Sequence, residues 1–171
     1  MSATERAGAT GGARGAPGSE TGPVLLLCTT TRDCPRTLEA ALQVARGGGR
    51  ELLALFVLDP ALLQATASLL SQAGFDATER SAEALEPAYR SRAEARLGEI
   101  RRAALEAGLQ VRTELREGSF TDQLEALLGE EGPSRVICAR KRRSHYARLV
   151  FEQGLLEPLR GSVPLDEVEE T

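Results

Sequence analysis

Apolar positions along the chain follow two patterns that take turns. Val24 to Cys28 and Leu52 to Leu58 are continuous apolar runs of strand length, which predicts strands buried on both faces. Val136-Ile137-Cys138 is a shorter run of the same kind. Between them lie stretches with apolar residues three or four apart. Pro35 suits a first helical position and starts a helix with Leu38, Leu42 and Ala45 on one stripe, stopped by Gly47-Gly48-Gly49. Asp59-Pro60 reads as a cap followed by a proline at the first helical position, opening a short helix to about Gly74. Phe75 to Ser81 breaks the pattern. From about Ala82 to Ala107 the spacing of Leu85, Tyr89, Ala93, Leu97, Ile100 and Ala104 predicts the longest helix. Pro87 either begins or kinks it, its Arg- and Glu-rich face points to solvent, and Gly108 ends it.

Val111, Thr113 and Leu115 then alternate with Arg112, Glu114 and Arg116, the mark of a half-exposed strand at or near a sheet edge. Ser119 and Asp122 have the spacing of a capping box, and the helix they open turns Phe120, Leu124, Leu127 and Leu128 inward before Gly129. After Cys138 a basic loop leads into a last helix running through Leu149, Val150, Leu155, Leu156 and Leu159. Pro164 to Val168 is a candidate fifth strand, interrupted by Asp166 and Glu167. Strands that alternate with helices in this way form a parallel sheet covered on both faces, so the fold class is α/β in a single domain. Periodicity leaves the strand order open.

Composition narrows the function. At 171 residues the chain fits one domain with one core. An aromatic content of 4% with no Trp argues against a stacking platform for nucleic acid or sugar, and a net charge of -4 makes a poor general polyanion binder. Nucleic acid is therefore not an expected partner. No run approaches the roughly 20 apolar residues of a membrane span, and the start of the chain lacks an apolar signal-type segment, so a cytoplasmic location is expected. Residues 1–22, rich in Gly and Ala, are expected to form a disordered arm, residues 23–168 the domain, and residues 169–171 an acidic tail. Cys28, Cys34 and Cys138 are too few for a disulfide framework and read as reduced thiols. Cys34, just before Pro35 at a helix start, sits where a helix dipole favours a thiolate. The single histidine, His145, has no nucleophile in a recognisable motif, and one His with scattered Cys gives no metal spacing, so no enzyme is expected.

One stretch inverts the sign of the chain. Arg135, Arg140, Lys141, Arg142, Arg143 and Arg148 follow one another with no acid between them, in the loop after a buried strand where open α/β sheets place ligands. A solvated turn is the bland meaning of such a run, and an anion site the sharper one. The order of elements, Arg116-Glu117-Gly118-Ser119 leading into Asp122-Gln123-Leu124-Glu125-Ala126-Leu127, and Ser134-Arg135-Val136-Ile137-Cys138 together resemble a universal stress protein domain over about Pro23 to Val168.

The resemblance implies an open five-stranded parallel sheet in the order 3-2-1-4-5 with helices on both faces, a crevice between strands one and four, and a regulatory or adaptor role in stress response. Nucleotide-binding members carry Asp-Gly-Ser after strand one, and after strand four Gly-x-x-Gly, nine residues, then Gly-Ser/Thr. Here Thr29, Thr30 and Thr31 stand at the first motif, and Ala139, Arg142 and Glu152-Gln153 at the second. Side chains in place of glycines keep the backbone from approaching phosphate, and Glu152 would set a carboxylate near it, so no cofactor is expected. The alternatives are an ATP or AMP switch in a modified pocket, and an anion or nucleic-acid contact through loop 140–148. The candidate nucleotide- or anion-binding residues are Thr29, Thr30, Thr31, Val57, Ala139, Arg140, Arg142, Arg143, Ser144 and Gln153. The expected partner is another protein or a second copy. The family often pairs through strand five, where Asp166 and Glu167 would set like charges face to face and weaken the contact.

Overall fold

The computed structural model describes residues 20–74 and 81–171. The expected disordered arm therefore lies mostly outside the described residues, as does most of the break from Phe75. At the end of the arm, Gly22 is buried, and a side chain there would clash with the Gly132 carbonyl oxygen, so the domain begins at least one residue earlier than Pro23.

Five strands form one parallel sheet in the order β3-β2-β1-β4-β5. They are β1 (Val24–Cys28), β2 (Leu52–Leu58), β3 (Val111–Glu117), β4 (Arg135–Lys141) and β5 (Leu165–Glu170). The helices are α1 (Pro35–Gly48), α2 (Pro60–Gln72), α3 (Ala82–Glu106), α4 (Phe120–Glu131) and α5 (His145–Glu152). α1 packs against β1, β4 and β5, α3 against β2 and β3, α4 against β2 and β3, and α5 against β4 and α2. The two unbroken apolar runs become the central strands: every residue of β1 and β2 is buried. Leu26, in the middle of β1, lies between Ala54 and Ile137. β3 lies at the sheet edge, as its sequence predicts, and is half-exposed along its length with no residue fully buried.

The structure corrects several expectations. The stripe of α1 is centred on Thr37, Ala41 and Ala45, with Leu38 and Leu42 at its flanks. α3 begins at Ala82, where the Ser81 hydroxyl accepts from the Ala84 amide, and runs on through Pro87. α4 passes through Gly129 and ends at Gly132. The last helix stops at Glu152, not Leu159. Gly154 adopts a left-handed φ of 66°, and the apolar residues beyond it form turns and a short 3-10 segment, Glu157–Leu159. Arg140 and Lys141 belong to β4 and not to a loop.

The acidic end of the chain is not a tail. β5 runs to Glu170, so two of the residues assigned to a tail lie in the sheet and only Thr171 follows it. The acids that argued against a strand have partners. Asp166 lies 2.7 Å from Arg135, Glu167 lies 3.3 Å from Arg140, and Glu169 approaches Arg142 at 3.6 Å. Glu170 is buried, and its carboxylate accepts from the Thr37 amide at 2.7 Å and the Thr37 hydroxyl at 2.9 Å, capping the first turn of α1. Among the described residues no helix is long and apolar enough to cross a membrane.

The switch-point crevice and its mouth

The strand order reverses between β1 and β4, and a doubly wound sheet opens its crevice there, beyond the carboxyl ends of the strands. In this chain the deep part of that crevice is filled by the protein itself. The Thr29 hydroxyl, fully buried at the end of β1, donates to the carbonyl of Ala139 in β4 and laces the two strands together. Tyr146, in the first turn of α5, is 0% exposed and reaches across to the end of β2. Its hydroxyl donates to the Val57 carbonyl at 2.6 Å and accepts from the Asp59 amide at 3.0 Å. The ring lies between Phe56, with centroids 5.9 Å apart, and Tyr89, at 5.7 Å. Burial pushes the Tyr146 phenol well up, so the hydroxyl stays protonated and able to donate.

Asp59 organises the same corner. One carboxylate oxygen caps α2 by accepting from the Ala61 amide at 2.7 Å, and the other accepts from the Phe120 amide at 2.7 Å, tying the start of α4 to the end of β2. Arg96 closes the opposite flank. The face of α3 expected to be solvated turns this guanidinium inward, where it meets Asp33 and Glu99 at 3.0 Å each. Only about 20 Å³ of space remains between Cys28, Thr29, Cys34, Arg96 and Ala139.

The thiols at this end are inert. Burial drives Cys28 from 9.0 up to about 12, although the Arg96 charge pulls it back in part. Burial and the neighbouring Glu167 drive Cys138 to about 12 as well. Cys34 is also raised by burial, against the pull of Lys141, so the helix start does not make it a thiolate. Above the ordinary value the unfolded chain binds fewer protons at these sites than the folded one, so stability is intact below pH 9.0 and is lost as pH rises toward about 12. A thiol reagent is expected to leave the native chain untouched, and denaturant midpoints to fall across that window less steeply in a Cys28→Ala, Cys138→Ala double variant. Rapid labelling of native protein at neutral pH is the contrary result.

The ten candidate residues divide into four groups. Thr29, Val57 and Ala139 are buried, and their polar atoms facing the crevice bond to the protein itself. Arg140 and Arg142 face β5 across a hollow of about 510 Å³, where Glu167 and Glu169 neutralise them, and Arg140 also lies 5.1 Å over the Phe151 ring. Gln153 is exposed at the far end of α5, away from the others. Thr30, Thr31, Arg143 and Ser144 do converge, on the crevice mouth. This second hollow, of about 400 Å³, is walled by the loop after β1, by α2 and α3, and by the start of α5. Sequence reasoning missed the other polar groups there, Arg32, Arg92 and the inward side of His145. They carry no local signal in the sequence, since Arg32 is followed directly by Asp33 and Arg92 lies in a helix rich in Glu.

Comparison with known proteins agrees with this architecture. A protein of the universal stress protein family from Burkholderia pseudomallei superposes with a TM-score of 0.54 at 21% identity, covering 89% of this chain and 98% of that one. The universal stress protein from Archaeoglobus fulgidus in complex with dAMP gives 0.53 at 14% identity, over 87% and 98%. A universal stress protein in complex with cAMP gives 0.52 at 15% identity, over 87% and 98%. At such identities the likeness concerns the fold alone. No curated protein matches the chain. The model of the universal stress protein family matches residues 23–153, from the residue before β1 to the residue after α5, and on that match the chain belongs to the universal stress protein family.

Proposed function

We propose that the chain is a regulatory or adaptor domain in stress response, acting in the cytoplasm through a protein partner or a second copy, and that it does not hold ATP or AMP in the crevice. One observation carries the reading. The Tyr146 hydroxyl takes the Val57 carbonyl and the Asp59 amide, and its ring fills the space beside Phe56, so a planar base would find both the stacking surface and the hydrogen-bonding edge in use. Displacing that ring would expose two buried backbone groups, at a cost of about 1–3 kcal/mol each. The lacing of Thr29 to Ala139 and the side chains in place of glycine at Ala139 and Arg142 support the same view.

A binding and not a catalytic role fits the one neighbouring pair of nucleophile and base types. Ser144 spends its hydroxyl capping α5 at the Ala147 amide, and among the described residues no hydrogen bond joins it to His145. Pairing through the β5 edge meets less repulsion than the sequence suggests, because the strand's acids are matched by Arg135, Arg140 and Arg142. Complexes of similar structures with cAMP and dAMP make a nucleotide switch the alternative to be tested. Native mass spectrometry of the purified chain is expected to find no nucleotide, and millimolar ATP, AMP or cAMP to raise its melting temperature no more than ribose 5-phosphate does at the same concentration. A nucleotide carried through purification, or a saturable rise in melting temperature that ribose 5-phosphate does not reproduce, would overturn the reading.

A further inference from the structure

The crevice mouth is chemically unlike the rest of the surface. Its lining includes the guanidinium groups of Arg32, Arg92 and Arg143 and no Asp or Glu. Several neighbouring arginines are ion-paired. On the same helix as Arg92, Arg90 is paired with Glu86 and Glu117, and Arg96 with Asp33 and Glu99. On the other side of β4, Arg140 and Arg142 are paired with acids of β5. Arg32, Arg92 and Arg143 have no ion-pair partner among the described residues, although all belong to elements that converge on one space. Three unneutralised cations sharing a concavity repel one another, and that cost is relieved when an anion enters.

A second observation points the same way. Nδ1 of His145 is buried and has no hydrogen-bond partner among the described residues. The other buried side-chain nitrogen without a hydrogen bond, Nε of Arg135, lies 2.7 Å from the Asp166 carboxylate and so has its counter-charge. His145 has no such neighbour, lines the mouth, and occupies the first position of α5, where the helix dipole favours negative charge. Tyr89 also lines the mouth. Burial raises its phenol, while the Arg92 and Arg32 charges pull it down, which marks those two guanidiniums as acting on the same spot.

We propose that this mouth binds a compact phosphate group, as inorganic phosphate or a small phosphate monoester, between Arg32, Arg92 and Arg143 with His145 beneath it. Guanidinium forks match phosphate oxygens in pairs, and a hollow of about 400 Å³ admits a monoester with a short carbon skeleton. The inference rests on the reading that no base enters the deep crevice, so the ligand is recognised by its phosphate and not by a nucleobase. An adaptor domain would in this way sense a phosphorylated metabolite at the place where its relatives' fold opens, through residues that no glycine motif supplies.

The test is calorimetric titration of the full chain at low ionic strength with inorganic phosphate, ribose 5-phosphate and AMP. Arg92→Gln and Arg143→Gln are the variants, and Arg101→Gln, exposed on the same helix outside the mouth, controls for net charge. Phosphate and ribose 5-phosphate are expected to bind, each mouth variant to weaken binding about tenfold or more, Arg101→Gln to leave it unchanged, and AMP to bind no tighter than ribose 5-phosphate. If neither phosphate nor the ester binds, or if all three variants weaken binding alike, the phosphate site is overturned while the closed crevice stands. If AMP binds at least tenfold tighter than ribose 5-phosphate, the base is recognised, and the closed crevice falls together with this inference.

Discussion

Leu26→Asp is expected to leave no cooperative unfolding transition. Leu26 is 3% exposed and sits in the central strand between Ala54 on β2 and Ile137 on β4, in a sheet covered on both faces. The buried cation nearest at hand, Arg96, already meets Asp33 and Glu99, so a carboxylate there is buried without a partner of its own at a cost of several kcal/mol, more once the lost leucine packing is added. A domain of this size has roughly 5–15 kcal/mol in total to lose. Circular dichroism during heating would reveal the outcome. A soluble variant that still melts in one sharp step would show that β1 is not the central, doubly covered strand.

The second large effect belongs to Tyr146. Removing only its hydroxyl, in Tyr146→Phe, leaves the Val57 carbonyl and the Asp59 amide without their partner and is expected to cost about 1–3 kcal/mol. Tyr146→Ala removes the ring as well, together with its contacts to Phe56 and Tyr89, and is expected to cost about 3–5 kcal/mol. The two variants separate the hydrogen bonds from the packing. The cavity left in Tyr146→Ala has the shape and polarity of a cresol, so p-cresol is expected to restore part of the lost melting temperature in that variant and none in the wild type. Equal stability of Tyr146→Phe and the wild type would mean that the hydroxyl does not hold the crevice shut.

How much of this was legible in the sequence depends on how local each cause is. Val24 to Cys28 and Leu52 to Leu58 are readable because a strand buried on both faces needs an unbroken apolar run, and both appear in the structure with the boundaries read from the sequence. The strand order came from the resemblance and not from periodicity, and the sheet has it. β5 was obscured because its acids look solvated until their partners are known. Asp166 meets an arginine 31 residues away, and Glu170 caps a helix 133 residues away. The early end of α5 was hidden because Leu155, Leu156 and Leu159 continue a helical rhythm while packing as turns. Gly154 was the available signal.

The site was less legible than the fold. The basic run drew attention to Arg140 and Arg142, which are paired with Glu167 of the candidate fifth strand and Glu169 of the expected tail. The residues that matter at the mouth are spread over the loop after β1, α3 and the start of α5, and only folding brings Arg32, Arg92 and Arg143 to one hollow. Tyr146 looks like an ordinary apolar helix residue, yet its hydroxyl bonds to backbone 87 and 89 residues earlier. No local pattern encodes such a contact.

The central claim is that the chain's own tyrosine closes the crevice against a nucleobase. The Asp59 amide, which donates to the Tyr146 hydroxyl, reports on it directly. Its nitrogen-15 and proton shifts can be followed by NMR while ATP is added to millimolar concentration. With Tyr146 in place the Asp59 signal is expected to stay where it is throughout the titration, whatever happens at the arginines of the mouth. A saturating shift of that amide, absent when ATP is replaced by tripolyphosphate, would mean that a base displaces Tyr146 and that the crevice is a nucleotide site after all.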